Sequence, residues 1–162
     1  MSKLTFDQLL NLKLLLSVEG IGPGRIRNLL AKFRTLEKII SADSKSLKEV
    51  EGISDNLTRR IQKINSQREV VESSLKKDLD LLDKINGKII TVWDESFPPL
   101  LKKIYDPPLL LYIRGSFLKE DEYSIAIVGT RGPTNYGKIQ AEKIATELAS
   151  QNITIVSGLA RG

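Results

Sequence analysis

The chain has 162 residues, 41% of them hydrophobic and 28% charged, a composition typical of soluble globular proteins and a length that allows one mid-sized domain or two small ones. Its 25 Lys and Arg exceed its 20 Asp and Glu, a small basic surplus that favours an anionic partner without deciding it. With no Cys and no His, disulfides, thiolate or imidazole catalysis and most zinc sites are excluded, and the longest apolar run, residues 109–113, falls far short of the roughly 20 residues that span a bilayer.

Met1-Ser2-Lys3 leads into an amphipathic pattern rather than an apolar signal core, so the expected location is cytoplasmic, with no membrane partner. An internal repeat then dominates. Val18-Glu19-Gly20-Ile21 recurs as Val50-Glu51-Gly52-Ile53, and at the same spacing Leu15 maps onto Leu47 and Arg27 onto Arg59. Apolar residues at helical spacing flank each copy, among them Phe6, Leu9, Leu12 and Leu16 before the first and Leu57, Ile61 and Ile64 after the second. The unit is helix, glycine turn, helix, written twice, and it resembles a tandem helix-hairpin-helix (SAM-like) bundle over residues 1–66.

In such a hairpin the backbone N–H groups at the start of the second helix can hold a DNA phosphate. Gly20, Gly22 and Gly24, followed by Arg25 and Arg27, are therefore a possible secondary DNA contact, with Pro23 near the first helical position. The second copy departs from this pattern. Ser54 stands for Gly22 and should cap a helix, while Asp55 puts negative charge where a phosphate would sit.

Val71, Leu75, Leu79, Leu82 and Ile85 predict a connecting helix over residues 67–87, stopped by Gly87 as a C-cap. The period then changes. Strands are expected at residues 88–93, 109–113, 124–128 and 153–156, with a helix from about 136 to 150. The run Ser124-Ile125-Ala126-Ile127-Val128 reads as a strand buried in a parallel sheet.

The last two strands and the helix between them form a β-loop-α-β unit. If the strands are neighbours, about 4.8 Å apart, both post-strand loops emerge at one sheet edge. Gly129, Thr130 and Arg131 would then share a crevice with Ser157, Gly158, Arg161 and Gly162, and the two arginines would face one phosphate ligand. The loops match neither the G-x-G-x-x-G nor the G-K-[ST] fingerprint, and Ser157 stands where a dinucleotide fold has an acidic ribose clamp, which favours a nucleic-acid backbone over a dinucleotide.

Three blocks carry a family resemblance: residues 97–115 from Phe97-Pro98-Pro99-Leu100 to Ile113-Arg114-Gly115; Ala126-Ile127-Val128-Gly129-Thr130-Arg131 with Tyr136-Gly137; and Ile155-Val156-Ser157-Gly158-Leu159-Ala160-Arg161-Gly162. Together they resemble the DNA-processing protein A (DprA/Smf) family over residues 88–162. The resemblance implies an extended Rossmann-like core that dimerises in the full-length protein, binds and protects single-stranded DNA, and loads the RecA recombinase during natural transformation. It also implies that the Gly129–Arg131 and Ser157–Gly162 loops line the pocket for the DNA backbone. Two departures stand out. Phe97 replaces the family's usual Tyr, and the chain stops at Gly162, where the family continues, so the expected sheet is incomplete and the polypeptide reads as a fragment.

The expected fold is thus α/β with an N-terminal all-α domain: tandem hairpins, then an incomplete Rossmann-like parallel sheet. The leading functional expectation is a non-enzymatic single-stranded DNA-binding mediator with no catalytic residues, metal ligands or cofactors. The competing readings are a nucleotide-phosphate-binding Rossmann-like enzyme and a duplex- or junction-binding module acting through the hairpins.

Overall fold

The computed structural model describes residues 4–159. Helix α1 (Phe6–Ser17) opens on a capping box: the Thr5 hydroxyl accepts from the Gln8 amide at 3.3 Å, and the Gln8 side chain accepts from the Thr5 amide at 3.1 Å. Then follow α2 (Pro23–Phe33), α3 (Leu36–Ile40), α4 (Ser44–Lys48), α5 (Asp55–Gln62), a 3₁₀ turn (Ile64–Gln67) and α6 (Arg68–Lys84). Among the described residues no helix is long and apolar enough to cross a membrane.

The repeat is visible in the backbone. Val18 and Val50 each donate to the leucine three residues earlier, at 3.2 and 3.1 Å, and Ile21 and Ile53 each donate to the preceding valine, at 2.9 and 3.1 Å. Gly20 and Gly52 both take the left-handed conformation, φ +88° and +81°, which side-chain-bearing residues adopt at a cost. Leu15 and Leu47, and likewise Leu29 and Ile61, are fully buried at equivalent places in one core. Burial of each such side chain contributes about 1.5–3 kcal/mol. Ser54 caps α5 as expected, its hydroxyl accepting from the Leu57 amide at 3.3 Å.

Helix α6 connects the hairpins to β1 (Gly87–Thr91), which pairs antiparallel with β2 (Leu110–Arg114); between them lies a single helical turn, α7 (Pro99–Lys102). Leu75 and Leu82 of α6, Ile89 of β1 and Leu109 join the hairpin core, so this ribbon belongs to the same compact unit, which runs to Gly115. Lys13 of α1 contacts both Asp78 of α6 and the Tyr112 hydroxyl of β2, the latter at 2.7 Å, and Tyr112 donates to Asp78 at 2.8 Å. The hydrogen bond from Lys13 holds the Asp78 carboxyl below the usual carboxylate range. Burial works against the Lys13 charge, but its bonds to Asp78 and Tyr112 outweigh this and raise it.

Gly87 is not the helix stop that the sequence suggests. Asn86 takes the left-handed turn, φ +52°, and Gly87 opens β1. What Gly87 supplies is room: a Cβ there would lie 2.7 Å from a Leu82 methyl and 3.0 Å from the Ile113 carbonyl.

The second unit begins at Ser116. After a 3₁₀ turn (Lys119–Glu122), β3 (Ser124–Ala126) pairs in parallel with β4 (Thr154–Val156), and α8 (Asn135–Ser150) makes the crossover. The expected parallel neighbours are therefore present. The strand expected at residues 124–128 is shorter and less buried than its composition implies: pairing ends at Ala126 opposite Val156, Ile125 is 43% exposed and Val128 is 88% exposed. A two-stranded sheet flanked by one helix leaves a face open, whereas an all-apolar strand is buried only when both faces are covered. The molecule is α/β with an all-α N-terminal region.

Candidate functional site

Because β3 and β4 run in the same direction, the loops that follow them leave the same edge. The Ile127 amide donates to the Val156 carbonyl at 2.9 Å, which holds the two strand ends together up to the point where they diverge. Residues 129–133 after β3 and 157–159 after β4 line one cleft of about 670 Å³ with the first turns of α8. Gly129, Thr130, Arg131, Ser157 and Gly158 are thus brought together. Arg161 and Gly162 lie outside the described residues.

The cleft is open at its glycines. A Cβ added at Gly129, Gly132 or Gly158 would meet nothing within 4 Å, so these positions leave backbone reachable by a ligand. Arg131 is solvent-exposed and forms no ion pair among the described residues. Thr134 caps α8, its hydroxyl accepting from the Gly137 amide at 3.1 Å. The spacing of Thr134, Gly137, Lys138 and Ala141 puts them on the helix face that lines the cleft. Among the described lining residues there are two cations, Arg131 and Lys138, no carboxylate and no aromatic ring. Such a lining suits an anion held through its charge rather than a base held by stacking.

Lys138 escaped the sequence reading. The signal was there in Thr134, a helix-starting residue whose first turns must face the loop that precedes it, but Lys138 carries weight only once the parallel pairing turns that loop toward β4.

The hairpin residues are placed differently. Arg25 donates to the Gly52 carbonyl at 2.9 Å and to the Gly20 carbonyl at 2.7 Å. Arg27 donates to the Pro107 carbonyl at 3.0 Å and pairs with Asp106 at 2.6 Å. The two turns also grip one another with the symmetry of the repeat. Arg60 of the second hairpin donates to the Glu19 carbonyl at 2.8 Å, and its equivalent Asn28 donates to the Glu51 carbonyl at 3.4 Å. A Cβ on Gly20 would lie 3.1 Å from Leu57, while one on Gly52 would lie 3.5 Å from Arg25, the residue equivalent to Leu57. Gly22 is the N-cap of α2 without a side-chain bond, and Gly24 lies beside the Asp106 carboxylate, which approaches to 3.6 Å of its would-be Cβ. At the start of α5, Lys48 pairs with Asp55 at 2.7 Å and holds that carboxyl below its ordinary range. Both hairpin helices thus begin beside a carboxylate of this chain.

Comparison with known proteins agrees with both halves of this description. Residues 12–64 match the model of the SAM-like helix-hairpin-helix tandem, and residues 88–162 match that of DNA recombination-mediator protein A. Protein Smf of Synechocystis sp. is 34% identical over 149 residues, covering 90% of this chain and 36% of that protein. DNA processing protein DprA of Bacillus subtilis is 42% identical over 45% of this chain, and that of Streptococcus pneumoniae is 35% identical over 44%; each is covered over 25% of its own length. The chain therefore spans about a third of the first relative and a quarter of the other two. No solved structure matches the chain significantly. With its tandem hairpins, its two post-strand loops and these relatives, the chain belongs to the DNA recombination-mediator protein A (DprA/Smf) family.

Proposed function

We propose that the cleft beyond β3 and β4 holds the sugar-phosphate backbone of single-stranded DNA, in a protein that protects the strand and passes it to the RecA recombinase during transformation. The observation that carries the reading is the convergence of the 129–133 and 157–159 loops on one cleft that has cations and no carboxylate among its described lining residues. The names of the relatives, DNA processing protein, support a nucleic-acid ligand. The recombinase step and the full-length homodimer rest on the family resemblance, and a cytoplasmic location suits a DNA-processing role. The role is one of binding, with backbone contacts that tolerate any base sequence.

The test is a titration of the full-length protein with a labelled single strand across a range of salt. Arg131→Ala should weaken binding to every sequence and make the log–log salt slope shallower by about 0.7, the value of one phosphate contact on a single strand. An affinity and slope equal to those of the unmodified protein would remove the reading.

A further inference from the structure

We propose that Lys138 is a second phosphate-binding residue of this cleft, contributed by helix α8; the inference rests on the reading of the cleft as a single-strand site. Lys138 lines the cleft and is solvent-exposed. The ion pair of α8 joins Lys143 to Glu147 at 3.8 Å further along the helix, and no ion pair among the described residues engages Lys138. The first turn of α8 holds no acidic residue, and Glu142, one turn beyond Lys138, does not line the cleft and makes no ion pair with it among the described residues.

Two cations lining one cleft that has no carboxylate among its described lining residues repel one another, and a bound anion turns that cost into attraction at both. The two side chains also differ in what they offer. Arg131 presents a planar fork that suits two oxygens of one phosphate, while Lys138 is a point charge on a flexible stem that can follow a backbone of variable conformation. They sit on different elements, a loop and a helix, so a strand in the cleft can be held from both. This goes beyond the loop residues through which the cleft was recognised, since Lys138 belongs to neither loop.

The experiment compares Lys138→Ala, Lys138→Arg and Arg131→Ala in the full-length protein, using anisotropy of a labelled oligo-dT strand over a salt series and thermal melting of each variant. Lys138→Ala should bind roughly tenfold more weakly at low salt, with a slope shallower by about 0.7, while Lys138→Arg keeps both values and all three melt like the parent. If Arg131→Ala weakens binding and Lys138→Ala does not, the assignment of Lys138 is overturned and the site reading stands. If neither substitution changes binding, the site reading fails and this inference with it. A loss in Lys138→Ala accompanied by a lower melting temperature, and not restored by Lys138→Arg, would show a structural role and also overturn it.

Discussion

Helix α2 begins at Gly22-Pro23-Gly24 with Arg25 and Arg27 in its first turns, and helix α8 begins just after Gly129-Thr130-Arg131-Gly132 with Lys138 in its second turn. Both are glycine-bearing turns that lead into a helix with positive charge at hand. At α2 the charge is matched from within: Asp106 pairs with Arg27 and stands beside Gly24, while Arg25 binds carbonyls of both hairpin turns. At α8 no carboxylate lines the cleft among its described residues, and neither Arg131 nor Lys138 is in an ion pair there. A helix start rich in N–H groups and cations favours an anion in either case. What differs is whether the chain supplies that anion. On the reading proposed above, the hairpins act as an internally satisfied scaffold and the cleft receives an external anion.

The largest expected effect lies in the scaffold. Leu15→Ala and Leu47→Ala remove fully buried side chains at equivalent places in the repeat, and each should cost about 2–5 kcal/mol in denaturant unfolding while the remaining folded protein keeps its DNA affinity. Costs that differ widely between the two would show that the hairpins do not share one symmetric core. Next come the surface bonds of α2. Arg27→Ala and Asp106→Asn should each lower stability by about 0.5–1 kcal/mol and leave single-strand affinity within about twofold, because that arginine already has its anion. A large fall in affinity for Arg27→Ala, of the kind expected for Arg131→Ala, would erase the contrast between the two helix starts.

The smallest effect concerns pH. The Asp78 carboxyl is held low in the folded state, so its contribution is present above its unfolded pKa and is lost as pH falls through the folded value. Lys13 is raised, so its contribution is present at neutral pH and is lost only as pH rises through the folded value, above the ordinary lysine range. Asp78→Asn should therefore flatten the acid limb of the stability curve, with a loss of about 0.5 kcal/mol at neutral pH. An acid limb identical to that of the parent would remove the Lys13–Asp78–Tyr112 cluster as a stabilising element.

Much of the fold was legible because its signals are local. Val18-Glu19-Gly20-Ile21 and its copy specify two turns through apolar spacing and one left-handed glycine each, and Ser54 announces a cap. The role of Gly87 was misread for the converse reason. A glycine at the end of a helical pattern looks like a C-cap, yet what requires it is the approach of Leu82 and of Ile113 from β2, a strand more than twenty residues further on. The length of the strand at residues 124–128 was likewise overestimated, since an apolar run does not reveal how many neighbours will pair with it or cover it.

By itself the order of residues determined the repeated hairpins, the period change after Gly87, the β-loop-α-β unit and the two glycine loops, because backbone preference and side-chain periodicity act over a few residues at a time. Only the tertiary structure decided which positive groups are available. It paired Arg27 with Asp106, 79 residues away, and turned Lys138 toward the cleft, since charge neutralisation depends on which groups meet in space, and sequence separation does not reveal that.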